Sequence, residues 1–194
     1  MANICLTSYR VFGKKEILDE IYGFLQKMTN DREEDYGWGK MALENFFGKL
    51  GFNAKGLDCR GEIAVDSIEY ANDVLSFGTE TKWSRSEDVE KKLIEKYDDA
   101  ISVYFLEEEL GCDIFQTNDS DGTVFPECVI IDEEDEGTEY YTREAAIEKL
   151  SELTGQKISS IEEAYDYTNA INARHNEEGT TGHIWIHKAV VVEN

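Results

Sequence analysis

The sequence predicts a globular protein of the α+β class, in which an antiparallel sheet carries helices. Strand-like and amphipathic helical segments alternate in the order strand, helix, strand, strand, helix, strand through residue 109. Only a short turn separates the second and third strands, which indicates a hairpin and not a parallel crossover. Hydrophobic residues make up 41% of the chain and aromatic residues 11%, which is enough for a packed core.

The chain begins with a predicted strand and helix. Residues 3–12 are rich in β-branched and aromatic residue types, which favour a strand, and Gly13 ends it. Residues 14–28 place apolar side chains at helical spacing, with charged residues between them. These apolar positions are Ile17, Leu18, Ile21, Leu25 and Met28. Residues 29–39 are polar and contain glycine, which predicts a loop, and residues 40–50 predict a second helix.

Two strands and another helix come next. Residues 62–70 and 73–83 read as strands, joined by a turn at Ala71-Asn72-Asp73. Ser84 and Glu87 fit a capping box, in which each side chain bonds a free backbone N–H group at the start of a helix. The helix that follows has an apolar stripe consisting of Val89, Leu93, Ile94 and Tyr97.

A strand at residues 100–109 completes the order βαββαβ. This order is the split βαβ pattern of ferredoxin-like domains. Such a domain packs its helices on one sheet face and leaves the other face open unless another segment covers it. The sequence therefore predicts a ferredoxin-like core with an inserted helical segment at about residues 29–60.

The rest of the chain predicts two additions to this core. Residues 112–117 and 125–131 are expected to form an added β-hairpin around a turn at 118–122. The acidic segment 132–137 is the best candidate for a boundary, which would give a domain at 1–132 and an extension at 133–194.

The extension is predicted as helix, helix, strand. The first helix runs from about 143 to 153, with Thr142 as its cap and Gly155 as its stop. The second runs from about 160 to 173, with Ser159 and Glu162 in a capping box. A strand from His183 to Val192 closes the chain.

Several short motifs resemble the YubB-type ferredoxin-like family. They are Met1-Ala2-Asn3 with Cys5, Leu75-Ser76-Phe77-Gly78-Thr79 with Trp83-Ser84, Glu107-Glu108-Glu109-Leu110-Gly111-Cys112, Thr117-Asn118-Asp119 and Phe125-Pro126-Glu127. The resemblance covers about residues 1–132. Members are small proteins of plasmids, phages and related bacterial elements, so the resemblance implies a ferredoxin-like fold and a mobile-element setting. It implies no catalytic residue.

The net charge of −23 is distributed unevenly. Residues 1–97 hold 18 acidic and 14 basic side chains, whereas residues 98–194 hold 24 acidic and 5 basic ones. A field of this sign repels nucleic acid and anionic membranes and attracts basic surfaces. We therefore expect no binding to nucleic acid or membrane.

Targeting signals and cysteine usage favour a cytoplasmic protein. No apolar run approaches 18 residues, and the N-terminus lacks the positive region of a signal peptide. The four cysteines, Cys5, Cys59, Cys112 and Cys128, include no C-x-x-C pair, which favours reduced thiols.

The patterns that could bind metals or catalyse reactions have simpler explanations. His183 and His187 lie four apart on a predicted strand, about 13 Å from each other, and so cannot share a zinc ion. The turn from Asn118 to Gly122 starts like a calcium loop, but Cys128 stands where an EF-hand needs Glu. A tight Asx-type turn is the plain explanation, and loose cation binding by Asp119, Asp121 and nearby carboxylates is the alternative. Of the cysteines, only Cys59 has an adjacent cation, Arg60, which is weak evidence for a reactive thiol. No cofactor and no metal is predicted.

The leading functional hypothesis is a non-enzymatic interaction protein. Its acidic half would bind a basic partner, such as a nucleic-acid-binding protein whose DNA or RNA surface it covers. The candidate interaction face consists of Asp132, Glu133, Glu134, Asp135 and Glu136. Solubility alone is the simpler explanation of the charge. The alternative function is an enzyme or small-molecule binder with a pocket between the sheet and the C-terminal helices.

Overall fold

The computed structural model describes residues 3–30 and 39–193 and belongs to the α+β class, as predicted. The chain forms two compact units. Unit 1 comprises Met1–Asn118 with Val192–Asn194, and unit 2 comprises Asp119–Val191. The predicted boundary after residue 132 lies inside a strand of unit 2, so the chain divides earlier than the acidic segment suggested. Most of the predicted loop at 29–39 lies outside the described residues.

Unit 1 is built on the larger sheet. Its elements are β1 (Ile4–Gly13), α1 (Lys15–Asn30), α2 (Leu43–Leu50), β2 (Gly61–Ala71), β3 (Val74–Lys82), α3 (Asp88–Tyr97), β4 (Ile101–Glu109) and β5 (Ile114–Thr117). Short 3₁₀ turns occupy Asp98–Ala100 and Leu110–Cys112. Within unit 1 the strand order is β2-β3-β1-β4-β5, and the short strand β9 (Val190–Val191) belongs to unit 2. The pairs from β2 through β5 are all antiparallel.

The core of unit 1 follows from the periodicity of its elements. Inward positions alternate along β1, where Tyr9 and Val11 are buried. The buried stripe of α1 contains Leu18, Ile21, Leu25 and Met28, which are four of the five predicted positions. The predicted turn between β2 and β3 is also present. Asn72 and Asp73 have φ values of 52° and 59°, which suits the tight hairpin turns that asparagine and aspartate tolerate.

Unit 2 combines a three-stranded antiparallel sheet with two helices. Its elements are β6 (Val129–Glu133), β7 (Gly137–Tyr141), α4 (Arg143–Thr154), α5 (Ile161–Glu178) and β8 (Ile184–Lys188). The strand order is β7-β6-β8. The predicted final strand is broken at Ala189, whose N–H donates to the carbonyl of Cys128 at 2.9 Å.

The predicted β-hairpin of residues 112–117 and 125–131 is wrong. β5 pairs with β4 in the larger sheet, whereas β6 belongs to the smaller one. Two side chains explain why the chain does not fold straight back. The amide of Asn118 bonds the backbone of Phe105 and Val103 in β4, at 2.8 and 2.9 Å. The Asp119 carboxylate then accepts two successive backbone N–H groups, at 2.8 and 2.7 Å, which fixes a turn at residues 119–125.

Helix caps are partly as predicted. Thr142 caps α4 by accepting the N–H of Ala145, and Gly155 ends it in the left-handed conformation. The capping box of α5 is displaced by one residue from the prediction, because Ser160 accepts the N–H of Glu163 at 3.2 Å. The capping box at Ser84 and Glu87 is wrong, since α3 begins at Asp88 and no side chain within the described part of the chain caps it.

Candidate functional site

The predicted acidic residues form the end of the β6–β7 hairpin. Asp132 and Glu133 are the last residues of β6, and Gly137 opens β7 with a φ of 95°. The N–H of Glu136 donates to the carbonyl of Glu133 at 3.1 Å, which closes the turn. The run is therefore a hairpin end and not a linker between domains. It brings the five predicted residues together, but they do not share one face.

Glu133 points to the helices of unit 2. Its carboxylate lies 2.7 Å from Nζ of Lys149 on α4, and this hydrogen bond raises the pKa of the lysine. Lys188 of β8 pairs with Glu162 of α5 at 2.5 Å, on the same side of the sheet. Buried aliphatic side chains fill this side, namely Val129, Ile131, Ile184 and Ile186. Glu133 thus stabilises the helix packing and is not part of an exposed face.

The opposite side of the smaller sheet carries aromatic and acidic side chains. Cross-strand pairing places Asp132 between Trp185 of β8 and Thr138 of β7, and Ile130 between His187 and Tyr140. Paired residues of an antiparallel sheet point to the same face. Trp185 is 42% exposed and Tyr140 is 45% exposed, while Ile130, which pairs with Tyr140, is buried. We call this the open face, defined by Asp132, Glu134, Tyr140, His183 and Trp185.

Glu134 and His183 continue the open face beyond the end of the strands. Oε2 of Glu134 lies 2.5 Å from Nδ1 of His183 and accepts the N–H groups of Gly182 and His183, at 3.1 and 3.3 Å. These contacts lower the pKa of Glu134, with the His183 side chain as the main cause. The carboxylate therefore stays ionised at the hairpin end. The imidazole of His183 stacks on the indole of Trp185, with 5.5 Å between ring centroids.

The last turn of α5 positions this histidine. Nε2 of His183 lies 3.1 Å from Oδ1 of Asn176, and the rings of His175 and His183 are 5.7 Å apart. One turn earlier, the Asn172 amide bonds both the N–H and the carbonyl of Ile184, each at 2.8 Å. This pair of bonds fixes the outer edge of β8 and directs the next residue, Trp185, to the open face.

These imidazoles do not assemble a metal centre. Both ring nitrogens of His183 have oxygen partners, and His187 lies two rows further along β8. Across residues 3–30 and 39–193, no group of three or more His, Cys, Asp and Glu side chains is arranged to hold a metal ion.

Unit 1 contains a second polar cluster, which is buried. Arg85 lies between two carboxylates, with Nη1 2.9 Å from Glu90 and Nε 3.1 Å from Glu107. Its guanidinium also lies 4.0 Å from the ring centroid of Phe105. Burial raises the pKa of Glu90 to about 7 despite the arginine, and its Oε2 has no hydrogen-bond partner among the described residues. The Cys5 thiol donates to Glu107 at 3.5 Å, and burial raises its pKa to about 12.

Unit 1 also has a surface groove of about 780 Å³ beside α2. Phe52 and Leu57 contribute apolar surface there, and Lys49, Lys55 and Glu44 contribute charge. Cys59 lies in the wall. Burial raises the pKa of its thiol to about 11, which contradicts the activation that a nucleophile needs.

Comparison with known proteins identifies no similar protein. No protein-family model, curated protein or solved structure matches this chain.

Sequence reasoning missed residues of two clusters, the one around His183 in unit 2 and the one around Arg85 in unit 1. His175 and Asn176 reach the open face only because α5 packs beside β8, which spacing along the chain does not reveal. Trp185 could have been found, because the alternation Ile184-Trp185-Ile186 puts the indole on the outer side of a half-buried strand. Arg85 lies within the capping box predicted before α3, and the local pattern gives no sign that it also pairs with Glu107, 22 residues away.

Proposed function

We propose that the protein is a non-enzymatic interaction protein whose unit 2 binds a basic partner protein. The observation that carries this proposal is the exposed acidic end of the β6–β7 hairpin. Unit 2 holds 17 acidic and five basic side chains, a net charge of −12. Two of its five cations, Lys149 and Lys188, already pair with Glu133 and Glu162. A surface with this excess attracts cationic proteins over long distances.

The proposed partner is a nucleic-acid-binding protein. The acidic end of the β6–β7 hairpin would cover the basic surface of that protein. Such a surface binds phosphate through Lys and Arg side chains, and carboxylates can form ion pairs with the same side chains. The resemblance to the YubB-type family supports a mobile-element setting. The order β4-β1-β3-β2, with antiparallel neighbours, supports a ferredoxin-like core. The free cysteines of the described residues support a cytoplasmic location.

Thiol chemistry argues against a cysteine nucleophile at Cys5 or Cys59. Burial raises the pKa of Cys5 to about 12 and of Cys59 to about 11, so both thiols stay protonated near neutral pH. The groove beside α2 favours small-molecule binding as a second candidate function. Its volume lies within the range of ligand pockets, of the order of 300–1,000 Å³. Its lining mixes Phe52 and Leu57 with Lys49 and Lys55.

Affinity capture at low salt, followed by binding kinetics with the purified partner, tests the proposal. The partner should be a basic protein. Its association rate should fall steeply above about 0.15 M salt, where the screening length drops below about 8 Å, while its dissociation rate changes less. Changing Glu134, Asp135 and Glu136 to their amides should reproduce part of that fall.

A matched variant separates local charge from total charge. Glu144, Glu148 and Glu152 lie exposed on α4, and changing them to Gln removes the same charge elsewhere in unit 2. The hairpin variant should slow association more than this control. Binding that is indifferent to salt and to both variants would contradict the proposal and leave solubility as the explanation of the charge.

A further inference from the structure

We infer that the open face recognises arginine side chains of its partner, with Trp185 stacking the guanidinium and Asp132 and Glu134 accepting its N–H groups. This inference rests on the proposed function and goes further, because it names the side chain that is recognised and the residues that recognise it. Three features support it. They are an exposed indole, carboxylates that lie across the strands from it, and a negative charge of unit 2 that repels other possible ligands of the open face.

The first feature is the exposed ring of Trp185. It stands on the side of the sheet opposite the ion pairs that α4 and α5 make, and 42% of its surface is exposed. His183 stacks on it with only 14° between the ring planes, so the indole is held in a fixed orientation. A rigid indole is the best aromatic platform for a cation, which favours a charged ligand over an apolar one.

The second feature is the register of the carboxylates. Asp132 pairs directly with Trp185, so their Cβ atoms are separated by roughly 5 Å, as in any such pair. Thr138 donates to Oδ1 of Asp132 at 3.0 Å and orients the carboxylate. Glu134 lies two residues further along the same side, roughly 7 Å away. Its hydrogen bonds with His183 and Gly182 hold it ionised.

This arrangement favours arginine over lysine. A guanidinium is planar, so it can stack on an indole while its N–H groups point sideways to carboxylates. An ammonium is a compact point charge that cannot do both with the same geometry. The indole and carboxylates therefore provide discrimination between two cations that long-range charge alone cannot distinguish.

Charge excludes the other obvious occupants. A nucleic-acid base could stack on Trp185, but its phosphates would meet the net −12 of unit 2. A second copy of this chain brings a further −23. A basic protein segment is the ligand that suits both the exposed indole of Trp185 and the negative charge of unit 2.

The test is calorimetric titration of the full chain with two peptides. Each has four cations separated by Gly-Ser spacers, arginine in one peptide and lysine in its twin. The arginine peptide should bind about two- to fivefold more tightly than the lysine twin, the range of one cation–π contact at an exposed site. Trp185→Ala should abolish this preference. Trp83→Ala is the matched control, because Trp83 is 49% exposed but lies in unit 1, and it should keep the preference.

Carboxylate variants and two further ligands complete the test. Asp132→Asn should reduce arginine binding more than Glu148→Gln, which removes the same charge from the exposed surface of α4. If Trp185→Ala lowers the melting temperature, Trp185→Phe keeps a ring and should retain part of the preference. Tighter binding of a single-stranded oligonucleotide than of the arginine peptide would overturn the inference. So would self-association that buries Trp185.

The outcomes separate this inference from the proposed function. Salt-dependent binding of both peptides with equal affinity, unaffected by Trp185→Ala, would refute arginine recognition and leave the basic-partner proposal intact. If neither peptide binds at low salt, both proposals fail.

Discussion

Both units place glutamates next to a cationic or ionisable partner, but with opposite electrostatic results. Glu90 lies 2.9 Å from Arg85 in unit 1, and its pKa rises to about 7. Glu134 lies 2.5 Å from His183 in unit 2, and its pKa falls. Burial makes the difference. Glu90 is 3% exposed, so the loss of water outweighs the attraction of the arginine, whereas Glu134 keeps water and gains hydrogen bonds.

The comparison assigns different roles to similar residues. The Arg85 cluster belongs to the interior of unit 1, where it fixes the connection between β3 and α3 against β4. The Glu134 cluster lies at the surface of unit 2, where its charge can act on a partner. Removing a buried charge should therefore alter stability, and removing an exposed one should alter binding.

The largest effect on stability is expected from Arg85→Ala. This change leaves Glu90 and Glu107 buried without their cation, which typically costs about 3–5 kcal/mol. Lys91→Ala is the control, because Lys91 and Glu87 form a pair that is mostly exposed, worth about 0–1 kcal/mol. Chemical denaturation gives both values. Equal losses would mean that burial of the cluster does not matter.

The pH dependence of stability should be the next largest effect. The folded state raises the pKa of Glu90 from its ordinary 4.5 to about 7, so between these values it binds more protons than the unfolded state. Stability from this group is complete below about pH 4.5 and is lost as pH rises through about 7, by up to roughly 3 kcal/mol. Denaturation midpoints of wild type and Glu90→Gln across this range measure it. The loss should be smaller in the variant, and parallel curves would refute the assignment.

Glu134 should show the opposite slope. Its lowered pKa gives a contribution that is present above its unfolded pKa and is lost as pH falls through the lower folded value. The difference between wild type and Glu134→Gln should therefore shrink on acidification below about pH 4.5. A difference that grows on acidification would contradict the hydrogen bonds at the hairpin end.

A smaller effect is expected at the helix caps. Ser160→Ala removes the side chain that accepts the N–H of Glu163 and should cost about 1 kcal/mol. Ser84→Ala is the matched control, because no helix begins there, and it should change stability little. Thermal unfolding of the two variants compares them. A larger loss for Ser84→Ala would restore the capping box that the sequence suggested.

Local patterns predicted most of the fold and little of the site. The strands, the hairpin turn at Asn72-Asp73 and the caps Thr142 and Gly155 depend on residues near one another in the chain, and periodicity detects them. The path of residues 112–131 depends on the side chains of Asn118 and Asp119. Asn118 bonds the backbone of β4, and Asp119 bonds backbone N–H groups five and six residues further along the chain. The sequence patterns of β5 and β6 do not reveal whether these two strands belong to the same sheet or to two different sheets.

The acidic run stays a predicted interaction face, and its geometry needed the structure. Adjacent residues of a strand point to opposite faces, so Glu133 pairs with Lys149 while Asp132 points to the open face. That division requires the exact end of β6, and strand ends are the least predictable feature of a sequence.

The most direct test of the account is a nuclear magnetic resonance titration of the full chain with the arginine peptide. The chain has three tryptophans, so three indole N–H signals can be followed together. We expect the signals of the Trp185 indole and of the backbone amides of Asp132 and Glu134 to shift with the peptide, while the Trp83 indole signal does not. Shifts that favour Trp83, or that spread over the acidic residues of both units without affecting Trp185, would contradict it.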